Sequence, residues 1–142
     1  MSLTGKETDV ARRKREKQQA TPTELELAIM QVLWESGEGT VEEVRTAMER
    51  KGRPLAPSSI RTMLAILQEK QYVTREPLRR GYLYRPLVSA EKARKRILQD
   101  IVQRAFAGSA AALVSALIGT DLVSEKELAR IKALIKEQEG GK

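Results

Sequence analysis

The run Pro57-Ser58-Ser59-Ile60-Arg61-Thr62-Met63-Leu64-Ala65-Ile66-Leu67, followed by Tyr72-Val73-Thr74-Arg75-Glu76 and Tyr82-Leu83-Tyr84-Arg85-Pro86, decides how this chain is read. In its first part, apolar side chains recur at Ile60, Met63, Leu64 and Leu67, the spacing of one helix face. Pro57, with its fixed φ, suits the first turn of that helix. The stripe leaves Ser58, Arg61, Thr62 and Ala65 facing away from a core, with Ser59 on the flank. After Lys70 the period changes from that of a helix to that of a strand. Two short β-branched and aromatic runs then flank Pro77 to Gly81, a tip that carries Arg79 and Arg80, and this pattern predicts a β-hairpin.

Working back towards the N-terminus, Thr23 and Glu26 form a capping box behind Pro22, and Leu25, Ala28, Ile29, Val32 and Leu33 repeat at helical spacing. The spacing predicts a helix over 23–35. Gly37-Glu38-Gly39 ends it, and Thr40 with Glu43 makes a second capping box ahead of Val41, Val44, Ala47 and Met48. That second helix covers 40–50. Two helices, a third with a polar exposed N-terminal half, then a basic hairpin is the order of a winged helix-turn-helix module.

Towards the C-terminus the chain is helical again. Ala93, Ile97, Leu98, Ile101, Val102, Ala105 and Phe106 form one stripe, which Gly108-Ser109 interrupts. Leu113, Val114, Leu117 and Ile118 form a second. Ser124 with Glu127 caps a last helix bearing Leu128, Ile131, Leu134 and Ile135. Three short striped helices have too little of one another to cover every stripe. A second copy of the chain would cover them, and folding back onto the winged module is the alternative.

The chain has 142 residues, no Cys and no His. Disulfide scaffolds, zinc sites built on Cys or His, and catalysis by a cysteine nucleophile or an imidazole base are therefore excluded. The expectation is no cofactor, no metal and no enzymatic activity. No apolar run is long enough to span a bilayer, so the sequence predicts a cytoplasmic protein without membrane insertion. The net charge is +7, and it is unevenly spread: +3 over residues 1–20, −3 over 21–54, +4 over 55–88, +3 over 89–106 and 0 over 107–142. Segregation of this kind suits a surface that meets a polyanion, and double-stranded DNA is the expected partner.

Each motif also has a plainer reading. Ser58, Ser59 and Thr62 can cap a helix end as readily as they can hold phosphate oxygens beside its partial positive charge. Arg61 can fork onto a guanine edge, and Ala65 can lie against a thymine methyl. Arg79 and Arg80 suit phosphate contact at a wing tip. Tyr82 and Tyr84 share a strand face, where packing against a helix explains at least one of them. Ser89-Ala90-Glu91-Lys92 has the Ser-x-x-Lys spacing of acylating enzymes but lacks their companion motifs, so Ser89 is read as a helix cap. Trp34 and Phe106 are read as core anchors.

Thr23-Glu-Leu-Glu-Leu-Ala-Ile-Met-Gln-Val-Leu-Trp34, Thr40-Val-Glu-Glu-Val44, Ser58-Ser-Ile-Arg-Thr-Met-Leu64, Tyr82-Leu-Tyr-Arg-Pro-Leu87, Phe106-Ala-Gly-Ser109 and Ser124-Glu-Lys-Glu-Leu128 together resemble the penicillinase repressor family of BlaI/MecI type. The resemblance covers about residues 21–136. It implies a dimeric winged-helix repressor that binds palindromic operators through its third helix and wing, with C-terminal helices as the dimer interface. In members that answer to β-lactams, a membrane sensor leads to cleavage at an Asn-Phe bond in the helix after the wing. The matching pair here is Ala105-Phe106, a possible proteolytic site without the Asn. Copper-responsive relatives carry a Cys-x-Cys pair that this chain lacks. Gln71 stands where the family usually has Gly.

The resulting expectation is a mainly α fold with a small β-hairpin wing. A basic arm (1–20) precedes a winged helix-turn-helix DNA-binding domain (21–87), a helical dimerisation domain (88–138) and a tail (139–142). Ser58, Ser59, Arg61, Thr62, Ala65, Arg79, Arg80 and Tyr82 are the expected DNA-binding residues. Ile97, Ile101, Phe106, Leu113, Leu117, Leu128, Ile131, Leu134 and Ile135 are those expected to pair two subunits. A winged-helix module that binds protein instead of DNA is the alternative.

Overall fold

A computed structural model of the chain describes residues 8–10 and 21–140. The basic run Arg12 to Lys17 lies outside the described residues. From Thr21 onward the order is α1 (Glu24–Ser36), α2 (Val41–Arg50), α3 (Pro57–Glu69), β1 (Val73–Pro77), β2 (Tyr82–Pro86), α4 (Ala90–Ala105), α5 (Ala110–Ile118) and α6 (Glu125–Gly140). The chain divides into two compact units, Met1–Ile97 and Leu98–Lys142.

In the first unit both predicted capping boxes form. The Thr23 hydroxyl accepts from the Glu26 amide while the Glu26 carboxylate accepts from the Thr23 amide, and Thr40 and Glu43 do the same at α2. Each box satisfies amides that a helix start leaves without partners. Ile29, Met30, Val32 and Leu33 from α1, Val44 and Met48 from α2, and Ile60, Leu64 and Leu67 from α3 converge in one buried core. Tyr72, Val73 and Tyr84 of the hairpin, with Val88 and Ala93 beyond it, complete that core. Trp34 packs against it and donates its indole N–H to the Val88 carbonyl at 2.8 Å. Ala93, read from sequence as part of the C-terminal stripe, therefore belongs to the core of the winged unit.

The hairpin is antiparallel, with Arg75 opposite Tyr84 and Pro77 opposite Tyr82. A third segment joins it: Gly39 and Tyr84 exchange two backbone hydrogen bonds of 2.9 Å, which fastens the α1–α2 loop to the wing. A Cβ at Gly39 would stand 3.4 Å from a Leu33 methyl and 3.5 Å from a Val44 methyl, ordinary contact distances that place this loop against the core.

The α3–β1 turn shows what position 71 demands. The Tyr72 amide donates to the Leu67 carbonyl and the Gln71 amide to that of Gln68, the paired bonds of a Schellman cap. The cap places Gln71 at φ 65°, a left-handed conformation that a side chain disfavours by about 1 to 2 kcal/mol. Gln71 is exposed, so its side chain buries little surface to set against that strain. Gln71→Gly is expected to raise the unfolding free energy by about 0.5 to 1 kcal/mol, read from urea midpoints. No gain, or a loss, would show that the turn is unstrained.

Ser124 and Ser89 cap their helices as the sequence predicts, and Ser109, read only as part of a break, is a cap as well. Ser109 accepts from the Ala112 amide and Ser124 from that of Glu127; in the first unit, Ser89 accepts likewise from Lys92. Ala107 and Gly108, both at positive φ, separate α4 from α5. The apolar stripes of the second unit remain open. Neither α5 nor α6 has a buried side chain, and Ile118 and Ile135 are 56% and 53% exposed. Phe106 is half-buried rather than a buried anchor. Among the described residues, no single helix is long and apolar enough to cross a membrane.

Candidate nucleic-acid interface

The outward face of α3 is the one its periodicity predicts. Ile60, Leu64 and Leu67 are fully buried, whereas Ser58, Arg61, Thr62 and Ala65 are exposed and Ser59 is half-buried. The capping reading of the serines does not hold. Ala56 is the N-cap of α3, its methyl cannot accept a hydrogen bond, and the serines already lie inside the helix. Thr62 donates its hydroxyl to the Ser58 carbonyl at 3.0 Å. Among the described residues, neither the Ser58 nor the Ser59 hydroxyl makes a hydrogen bond. The first turn of α3 thus presents free hydroxyls beside uncapped amides and the positive end of the helix dipole.

Two concavities involve this helix. One, of about 390 Å³, is lined by Arg61 of α3, by Thr40, Val41 and Glu42 at the start of α2, and by Arg80, Gly81, Tyr82 and Tyr84 of the wing. The other, of about 360 Å³, has Ser58, Ser59, Thr62, Met63 and Ile66 along one side and Thr23 and Glu26 along the other. Arg61 and Arg80, 19 positions apart in sequence, thus share one groove. Tyr84 is buried in the core and Tyr82 is exposed on the same strand face, so packing explains only the first of the pair.

Ion pairing sorts the basic residues of this unit. Arg45 pairs with Glu42 and Glu49, Lys51 with Glu35, Arg53 with Glu24, Lys70 with Glu26, and Arg85 with Glu38 and Glu76. Among the described residues, Arg61, Arg75, Arg79 and Arg80 have no carboxylate partner, and all four lie on α3 or the wing. Arg50, at the end of α2, and Lys92, Arg94 and Arg96, in α4, are further cations without a carboxylate partner among the described residues, whereas Lys95 pairs with Glu91. Glu42 is the one carboxylate lining the α3–wing groove, and hydrogen bonds from Arg45 hold its carboxyl below the usual range. It stays ionised at neutral pH with its charge largely taken up by that guanidinium.

Free cations, free hydroxyls and a helix N-terminus gathered on a helix and an adjacent hairpin match the chemistry of a phosphodiester backbone. A model of the penicillinase repressor family matches residues 22–137. The chain belongs to the penicillinase repressor family. It is a DNA-binding transcriptional repressor with a winged helix, of a family of regulators rather than enzymes. The match begins at Pro22, so the basic arm lies outside it. Among solved structures, the chain is similar to the oxidized form of MarR from E. coli at 16% identity, covering 96% of this chain and 98% of that one with a TM-score of 0.44. No curated protein matches it.

Sequence reasoning missed Arg75 and the Gly39 bridge. Arg75 sat inside a strand pattern with nothing to mark it. Its guanidinium lies 3.8 Å from the centroid of the Tyr82 ring, which only the hairpin register brings about.

Proposed function

We propose that this repressor acts in the cytoplasm as a homodimer on palindromic operators, without enzymatic activity. In this reading residues 21–87 bind DNA and the helices of 88–138 pair the subunits. Ser58, Ser59, Arg61, Thr62 and Ala65 of α3 enter the major groove, where Arg61 reads a base edge. Arg79 and Arg80 hold the backbone at the wing, and Tyr82 lies beside them. The observation that carries the reading is the ion-pair sorting: Arg45, Lys51, Arg53, Lys70 and Arg85 have carboxylate partners, whereas, among the described residues, Arg61 of α3 and Arg79 and Arg80 of the wing tip have none. A protein-docking module would have no need of unpaired arginines beside free hydroxyls.

The regulated genes, by the resemblance, include functions in β-lactam resistance. A membrane sensor acting through a protease is the corresponding partner, and its cut would fall at Ala105-Phe106. That bond lies where α4 ends, one residue before the positive-φ pair, and lacks the Asn of the sensitive members. Release of the intact repressor by a small ligand or antagonist is the competing route, which the missing Asn favours.

Titrating DNA binding against salt tests the proposal. With roughly three to five phosphate contacts per subunit, log K should fall with log salt at a slope of about −5 to −9. Alanine at Arg79 and Arg80 is expected to weaken binding to every sequence alike, and alanine at Arg61 to relax preference at one base step by about 1 to 3 kcal/mol. Affinity indifferent to salt would overturn DNA binding by this face, and equal loss on all sequences would remove Arg61 from base readout.

A further inference from the structure

The two faces of the wing carry opposite electrostatic arrangements. The register sets Arg75, Pro77, Tyr82 and Tyr84 on one face and Glu76, Leu83 and Arg85 on the other. On the second face Arg85 is held by two carboxylates, Glu38 and Glu76, whose hydrogen bonds raise its pKa further. A guanidinium with two carboxylate partners has little charge left for a distant phosphate. On the first face Arg75 has no carboxylate partner among the described residues. It is exposed, and it rests on the ring of Tyr82. Tyr82 in turn lines the groove that Arg61 and Arg80 share, and its ring centroid is 6.4 Å from that of buried Tyr84.

Resting on the reading of the winged unit as the DNA-binding face, we infer that Arg75 is a further phosphate ligand of the wing and that Tyr82 is its positioning residue, so that the wing meets DNA by the Arg75–Tyr82 face and not by the Arg85 face. Contact with the ring leaves the in-plane guanidinium N–H donors free to fork onto a phosphate, and it removes part of the rotamer freedom that binding would otherwise have to freeze. The aromatic ring attracts the cation without neutralising it, which a carboxylate would do. Through Tyr82, which lines the groove of Arg61 and Arg80, Arg75 adds a further unpaired cation beside that groove. The role expected for Tyr82 changes accordingly: its ring acts through Arg75.

The test uses the full chain and a fluorescently labelled duplex of mixed sequence, about three helical turns long, titrated across salt concentrations. Arg75→Ala is expected to lower the salt slope by about 0.9 per subunit, the signature of one lost phosphate contact. Arg85→Ala should leave the slope unchanged. Tyr82→Leu, which keeps the cation and removes the ring, is expected to weaken binding about twofold to fivefold. Tyr82→Phe should retain wild-type affinity, which separates stacking from any contact by the hydroxyl. Thermal unfolding of each variant identifies any loss that comes from the fold. A wild-type slope for Arg75→Ala, or an equal loss of slope for Arg85→Ala, overturns the assignment while DNA binding by the winged unit stands. Salt-independent binding by the wild type overturns both.

Discussion

A chain ending after Ile97 is expected to fold, to sediment as a monomer, and to bind a two-half-site duplex about 10²- to 10⁴-fold more weakly than the full chain. The cut point follows from the core. Val88 and Ala93 are buried with α1, α2 and α3, and Val88 accepts the Trp34 indole bond, so a chain ending at Pro86 would lose part of its own interior. Ending at Ile97 keeps the whole compact unit. What is removed cannot stabilise itself by burial: α5 and α6 have no buried side chain, and Leu98, Val114, Leu134 and Ile135 are 43 to 53% exposed. Apolar stripes left open to that extent call for a partner, and a second copy supplies matching ones.

The affinity loss comes from effective concentration. Once one half-site is occupied, a linked subunit finds the second at millimolar local concentration, and two separate monomers do not. Ile135→Glu in the full chain tests the same point without truncation. The side chain is half exposed in one chain, so a charge there costs little until a partner covers it. A dimeric 1–97 chain would contradict the assignment, as would a full-length Ile135→Glu variant that remains dimeric at micromolar concentration.

Features set by neighbours in sequence were legible, and those set by distant residues were not. Capping boxes at Thr23 and Thr40 need only a hydroxyl and a carboxylate three residues apart, and both form as read. The α3 stripe is a matter of helical period, and the faces it assigns to Ile60 and Arg61 are those observed. The Gly39–Tyr84 bridge joins residues 45 positions apart, and glycines in a loop give no sign of strand pairing. Ala93 illustrates a different failure. It falls on the periodic face that continues into Ile97 and Ile101, and period alone cannot tell that one helix serves the winged core with its first turn and an open stripe with the rest. At the interface, the free hydroxyls of α3 became distinguishable from caps only once Ala56 was seen to be the N-cap. Arg75 gained meaning only from the register that sets it on Tyr82.

The non-local contact with the largest expected consequence is the pair Lys70–Glu26. The sequence marks Glu26 as half of a capping box, which it is, yet the same carboxylate oxygen that accepts from the Thr23 amide also accepts from Lys70 Nζ at 2.6 Å. Both side chains are almost wholly removed from solvent, at 6% and 9% exposure, and Lys70 donates a second bond to the Thr21 carbonyl. A buried ion pair is weak evidence of net stabilisation, because each charge gives up its hydration to form it. Breaking it is another matter. Glu26→Ala leaves a buried ammonium with a single carbonyl partner and removes one half of the α1 cap, so the expected loss is about 3 to 5 kcal/mol. That is a large share of the roughly 5 to 15 kcal/mol typical of a whole domain. Glu26→Gln keeps an acceptor for both donors and should lose less. Replacing both partners, with Glu26→Leu and Lys70→Met, removes the stranded charge and should recover most of the loss. Function should follow position: Lys70 is the C-cap of α3 and directly precedes the strained Gln71 turn into the wing. The single variants are therefore expected to disturb the angle between α3 and the wing, so that specific binding declines more than non-specific binding at temperatures where the protein is still folded. Urea unfolding of the two singles and the double gives the coupling directly, and a Glu26→Ala midpoint equivalent to less than about 0.5 kcal/mol of loss would show that the pair exchanges freely with water.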